Sequence, residues 1–183
     1  MSIQRIALSR IAAASLALFA SVSFADTLTG NFDVKVLVKK ACSINPVKAA
    51  DVTFDDVDTV NTTAQTKQTT LIVKCSKGTS YEIGLTPGNT DAASPTSTTG
   101  NGFMKRNPVG TTATADQKIA YKLTKDSAGA TPWGSVTGTT GNTYKATGDS
   151  TNQSVTVYAT VAGSAWNVEP GNYLDNVTVT VTY

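Results

Sequence analysis

Histidine is absent from the 183 residues. The side chain that most often acts as a general base near neutral pH is therefore missing, and with it every serine or cysteine triad built on an imidazole. Glutamate occurs only at Glu82 and Glu169, beside eleven aspartates, so spacing nominates no carboxylate pair for glycoside hydrolysis. Charged residues make up only 15% of the chain, and the formal charge of +2 arises from 15 basic and 13 acidic groups. Lys39-Lys40 and Lys105-Arg106 are isolated basic pairs rather than a stripe, which argues against a nucleic-acid partner. Two cysteines without a histidine or a second cysteine pair make a poor metal site, and no cofactor is expected. What the chain has in excess is threonine, with 31 copies.

The first 25 residues differ from the rest. Arg5 and Arg10 precede a run from Ile11 to Ala20 with nine apolar residues and one serine, and Ser23-Phe24-Ala25 supplies a small-x-Ala cleavage site. This order of basic, apolar and small residues is that of a secretory signal peptide, its core too short for a permanent membrane span. Residues 1–25 are read as cleaved and 26–183 as the mature domain, with no integral membrane segment left after cleavage. The mature 158 residues carry 13 basic and 13 acidic groups, and 56 of them are hydrophobic. That is one neutral domain with a modest core.

Export gives the cysteines a meaning, because an oxidising compartment favours a disulfide. Cys42 and Cys75 are the only available pair. Closing their loop stabilises by about 3 to 4 kcal/mol on the chain-entropy account.

Helical periodicity is not sustained anywhere in the mature chain; short alternating blocks separated by Gly, Pro, Asn and Ser predict an all-β fold. Leu28, Gly30, Phe32, Val34, Val36 and Val38 alternate with Thr29, Asn31, Asp33 and Lys35, and only Leu37 breaks the polar face. Further strands are expected through Val52 and Phe54, over Thr69 to Cys75, Tyr81 to Leu85, Ile119 to Leu123 and Val155 to Ala159. The last, Tyr173 to Tyr183, is the clearest alternation in the chain. Threonine and valine suit a pleated, half-buried surface, and about seven such strands predict a β-sandwich. Asn89 to Gly102, Gly110 to Asp116 and Thr137 to Ser150 read as exposed loops.

Other candidate features have plainer explanations. Asp51, Asp55, Asp56 and Asp58 lack the alternate spacing, glycine and distal glutamate of a calcium loop and read as a solvated turn. Trp133 and Trp166 could form a sugar platform, though a buried tryptophan is the commoner role in a sandwich. Three Asn-x-Ser/Thr matches, at Asn61, Asn152 and Asn176, are expected by chance in a threonine-rich chain.

The N-terminal alternating segment starts almost at the cleavage site, with no preceding loop to tether it. One apolar face and free backbone groups are what an added strand needs to complete another subunit's sheet, as in donor-strand complementation. A domain lacking that strand would expose an apolar groove and an unpaired edge. The alternative is the first strand of a complete sandwich.

Several motifs resemble the spore coat protein U family, and within it the major pilins of archaic, Csu-type chaperone-usher pili. They are Phe32-x-Val34 and Val38 before Cys42; Val52-Thr53-Phe54 before an acidic turn; and Val73-Lys74-Cys75-Ser76-Lys77-Gly78-x-x-Tyr81-x-Ile83-x-Leu85. Phe103-Met104-Lys105-Arg106 is a rearranged Arg-x-Met segment, and Ile119-Ala120-Tyr121-x-Leu123 and Trp133-Gly134 follow in order. The ending from Pro170-Gly171-x-Tyr173-x-Asp175 to Tyr183 is the most specific element. The sequence departs from the family where Asp55 replaces the glycine after the first-hairpin phenylalanine.

The resemblance implies an incomplete immunoglobulin-like β-sandwich, completed by a donor strand from a neighbouring subunit. Its partners would be a periplasmic chaperone, an outer-membrane usher, and copies of itself or related pilins. Residues 26–38 would be the donor strand, with Leu28, Gly30, Phe32, Val34, Val36 and Val38 as the inserted face. Gly30 would lie opposite a shallow or obstructed part of the groove. Tyr173, Val177, Val179, Val181 and Tyr183 would form the last strand, bordering the groove and contacting the chaperone. Cys42 and Cys75 would staple the first two strands. The expected function is a structural subunit of a cell-surface fimbrium serving attachment and biofilm formation. A two-domain tip adhesin is disfavoured on length, and the rival is a secreted sandwich that binds a sugar or surface ligand without polymerising.

Overall fold

The structure, a computed structural model, describes residues 26–44, 49–60, 62–89, 98–107 and 113–183. Residues 1–25, expected to be a signal peptide, lie outside the described residues, as do 45–48, 61 with its Asn-x-Thr match, 90–97 and 108–112. The chain divides into two units, Met1–Leu37 and Val38–Tyr183. Described residues of the first unit belong to no helix or strand.

The second unit is all β. Its strands are β1 (Cys42–Ile44), β2 (Gln65–Cys75), β3 (Ser80–Pro87), β4 (Asn101–Asn107), β5 (Lys118–Thr124), β6 (Tyr144–Thr147), β7 (Gln153–Val161), β8 (Asn172–Leu174) and β9 (Val177–Thr182). One sheet has the order β1-β2-β7-β5-β4-β8 and the other β6-β3-β9, with every pairing antiparallel. The two sheets form a curled sandwich.

Alternation decides which side of each strand enters the core. Leu71 and Val73 of β2, Ile119, Tyr121 and Leu123 of β5, and Val155, Val157, Ala159 and Val161 of β7 face inward and are buried. Tyr81, Ile83 and Leu85 of β3 meet them in the same cluster. Trp133, fully buried between β5 and β6, ties the sheets together. Its indole N–H donates to the Ile83 carbonyl in the small sheet at 2.7 Å, and its backbone N–H to Leu123 in the large one at 2.9 Å. Gly100 passes close by with φ +86°, and a β-carbon there would lie 2.3 Å from the Trp133 carbonyl oxygen.

Four expectations are corrected. No ladder forms through Val52 and Phe54. Side chains of β2 take polar groups of this segment instead, with Thr69 donating to the Ala50 carbonyl (2.7 Å) and Gln65 accepting the Asp55 N–H (2.9 Å). The expected last strand is two strands in different sheets, broken at Asp175-Asn176. The Asp175 carboxylate accepts the N–H groups of Asn89 and Asn176, both at 2.8 Å, which turns the chain from one sheet to the other. The loop assigned to Thr137–Ser150 contains β6. The residues around Phe103, assigned to no strand, form β4, into which the loop expected to end at Gly102 runs. In β4 the apolar pair Phe103-Met104 breaks alternation because both faces are covered: Met104 packs on the core, and Phe103 lies beneath two lysines on the outer face.

Candidate functional site

Residues 26–40 are exposed throughout. Leu28 is 99% exposed, Phe32 and Val34 87%, Val36 88% and Val38 81%, all on the alternating face, and a β-carbon at Gly30 would meet nothing within 4 Å beyond its chain neighbours. Leu37, the residue that breaks the polar face, is 80% exposed. On that polar face Asp33 and Lys35 form an exposed ion pair at 2.8 Å. The segment is thus amphipathic by sequence and unpartnered along its apolar row, a row of a size soluble domains rarely leave in water.

Four residues after Val38, Cys42 is the direct cross-strand partner of Cys75, and the two sulfurs are bonded at 2.03 Å. The disulfide ties β1 to β2, the first two strands, as expected. Ser76 adds a second tie: its backbone N–H donates to the Ala41 carbonyl at 2.9 Å, while its hydroxyl accepts the Ala41 N–H at 3.1 Å.

β9 is an edge strand. It pairs with β3 from Glu82↔Thr182 to Pro87↔Val177, and its other edge has no ladder partner among the described residues. Val177, Val179 and Val181 are half-buried and pack on the core, while Thr178, Thr180 and Thr182 point outward. Tyr183 follows the strand and is 57% exposed. Tyr173 stands apart from this row, on β8 in the other sheet, where its hydroxyl donates to the Glu169 carbonyl at 2.6 Å.

Residues 49–58 supply a second backbone without a ladder. Val52, Phe54 and Val57 are half-buried against the core, and the Phe54 ring meets Trp166 edge-on at 6.2 Å. Asp55, where the sequence departs from the family, forms an ion pair with Lys67 of β2 at 2.7 Å. The strand expected through Val52 and Phe54 is absent here, because alternation shows the apolar face but not whether the backbone finds a neighbour.

The remaining polar groups serve the fold. Trp133 is fully buried and Trp166 3% exposed, its indole N–H donating to the Thr63 carbonyl at 2.8 Å, so neither can act as a sugar platform. Burial, and then the hydrogen bond to Asp175, hold the Tyr121 phenol far above its ordinary range. Among the described residues no group of three or more Cys, Asp or Glu is placed to hold a metal ion, and no helix is long and apolar enough to cross a membrane.

The Spore Coat Protein U domain model matches residues 28–180. The chain belongs to the Spore Coat Protein U domain family. No curated protein matches it. Among solved structures, this family member is similar to a chain in the crystal structure of the CsuC-CsuE chaperone-tip adhesion subunit pre-assembly complex, from the archaic chaperone-usher Csu pili of Acinetobacter baumannii. The TM-score is 0.53 at 22% identity, over 80% of this chain and 40% of that one. The likeness is one of fold, and the Spore Coat Protein U chain spans less than half the length of that relative.

Proposed function

We propose that residues 26–183 form a structural subunit of a chaperone-usher fibre on the cell surface, exported with the help of the 1–25 segment and joined to its neighbours by strand exchange. In this reading residues 26–38 are the donor strand, and a neighbour's arm adds to the free edge of β9. The segment 49–58 borders the inserted strand on its other side. The observation that carries the reading is the exposed alternating row from Leu28 to Val38, in a chain whose β9 has an open edge and a half-buried valine face. Burying Leu28, Phe32, Val34, Val36 and Val38 would stabilise by about 1.5 to 3 kcal/mol each, enough to drive assembly. In this reading a periplasmic chaperone occupies the groove before assembly and an outer-membrane usher accepts the subunit; the likeness to a chaperone-bound Csu subunit is what supports the chaperone. The role is structural, not catalytic, and serves attachment and biofilm formation.

A peptide of residues 26–38 added to a domain that begins after Val38 tests this directly. The peptide is expected to bind and raise the melting temperature with its concentration. A peptide with Val34→Asp and Val36→Asp is expected to do neither, and equal effects of the two peptides would refute strand addition.

A further inference from the structure

Along the arm acid comes first and base last: Asp26 and Asp33 precede Lys35, Lys39 and Lys40. Asp33 and Lys35 pair with each other, which leaves Lys39-Lys40 as the charge at the root. Segment 49–60 holds Asp51, Asp55, Asp56 and Asp58 and no base, and Lys67 takes up Asp55. Lys39, Lys40, Asp56 and Asp58 are exposed and make no hydrogen bond or ion pair among the described residues. Each pair of charges also has an exposed apolar neighbour. Leu37 is 80% exposed, and Val60, just after Asp58, is 82% exposed. Inserting the valine row leaves Leu37 outside, because successive side chains of a strand point to opposite faces. One exposed leucine or valine is ordinary on a soluble domain. The match of Leu37-Val38-Lys39-Lys40 to Asp56-Val57-Asp58-Thr59-Val60, in charge and in apolar surface together, is what needs a cause.

Topology supplies one. Segment 49–60 runs along β2 toward its start, since Thr69 reaches the Ala50 carbonyl and Gln65 takes the Asp55 N–H. Residues 56–60 therefore sit at the Gln65 end of the sandwich. At its other end β2 finishes with Cys75, from which a short turn leads back into β3 at Ser80. Pro87, the last residue of β3, and its partner Val177 are thus at the Gln65 end, and Thr182 is at the far one. Every ladder in the domain is antiparallel, which is also the more stable pairing per residue. An arm added antiparallel to β9 lies with its N-terminus toward Tyr183 and leaves the groove past Val177, which brings its root to residues 56–60. Added the other way round, it would set Asp26 beside Asp56 and Asp58.

We infer that a second copy of this chain is recognised by more than its valine row: Lys39 and Lys40 of one molecule meet Asp56 and Asp58 of the next, and Leu37 packs on Val60. The inference rests on the donor-strand reading and adds to it a contact, outside the groove, that selects the direction of the arm. Exposed charges at the rim of an interface act mainly on the rate of encounter and against wrong arrangements, and less on affinity. The valine row accordingly holds the arm, and the root guides it.

The test follows the rate at which chains of residues 26–183 form heat-labile ladders. Native assembly is expected to slow at least about tenfold between roughly 0.05 M and 0.3 M salt. Lys39→Glu with Lys40→Glu, and Asp56→Lys with Asp58→Lys, are each expected to slow it at least about tenfold at low salt. The variant with all four substitutions should return to within about threefold of the native rate, because the attraction is restored with its signs exchanged. Under oxidising conditions Leu37→Cys with Val60→Cys is expected to link neighbouring copies covalently, and Thr29→Cys with Val60→Cys is not. A rate independent of salt, a fourfold variant no faster than the two double variants, or a link through position 29 would each overturn this contact while leaving strand exchange in place. A native chain that forms no ladder would overturn both. The salt series needs only the native chain, so it decides even if a variant folds poorly.

Discussion

Tyr121 of β5 donates its hydroxyl to the Asp175 carboxylate at 2.5 Å, at the point where the chain leaves the six-stranded sheet for the three-stranded one. The other oxygen of Asp175 accepts the N–H groups of Asn89 and Asn176. One carboxylate thus replaces the ladder bonds that an uninterrupted strand would have made, and it sets where β9 begins.

Asp175→Ala should destabilise the domain by about 2 to 4 kcal/mol, because a buried phenol and two backbone donors lose their acceptor together. Tyr121→Phe should cost less, about 1 to 2 kcal/mol, since Asp175 keeps its backbone partners. Urea midpoints of the two single variants and the double variant measure the coupling, and additive effects would show that the contact is energetically idle.

The Cys42–Cys75 bond should contribute about 3 to 4 kcal/mol. The double variant Cys42→Ser, Cys75→Ser is expected to lower the urea midpoint accordingly. It should also increase proteolysis near β1, whose ladder spans only Cys42↔Cys75 to Ile44↔Val73. An unchanged midpoint would mean that β1 is held by its other contacts alone.

Trp133→Ala should cost about 3 to 5 kcal/mol or abolish folding, because a large buried side chain is lost and the Ile83 carbonyl loses its donor. Trp133→Phe should recover part of the packing but not the hydrogen bond. A Trp133→Ala protein of native stability would contradict the placement of this residue at the centre of the core.

Acid should weaken the fold. Four carboxylates are held below their ordinary pKa values: Glu82 chiefly by the Thr143 hydroxyl, Asp116 by the Thr114 hydroxyl, Asp126 by the Ala130 N–H and Asp149 by the Thr151 N–H. A lowered folded pKa means that the stabilisation is fully present above the unfolded value, about 4, and is lost as pH falls through the folded value. The urea midpoint is therefore expected to be flat from about pH 5 to pH 7 and to fall below about pH 4. Asp126→Asn should make that fall shallower, and a midpoint rising on acidification would contradict these assignments.

Legibility followed the reach of the interactions. β5 and β7 could be read directly, because Ile119, Tyr121 and Leu123, and Val155, Val157 and Ala159, alternate against polar neighbours and one face of each is buried. β4 could not, since Phe103 is covered by lysines of its own sheet, one of them on β5, rather than by the core. The break at Asp175 left no local sign, because its partners Tyr121 and Asn89 are 54 and 86 residues away. In the arm, periodicity identified the apolar row; its exposure could be seen only in three dimensions. At Val52 and Phe54 the same periodicity identified the apolar face correctly and the ladder wrongly, since a face needs only a core whereas a ladder needs a neighbouring backbone.

The central claim is that the exposed arm of one chain fills the open edge of another. Expression of residues 26–183 and of the same chain lacking 26–38, followed by electron microscopy and by gel electrophoresis with and without heating, tests it most directly. The full chain is expected to give fibres and ladders that collapse to monomer on heating, whereas the truncated chain, which no arm completes, gives neither and is less stable. Two soluble monomers of equal stability would contradict the account.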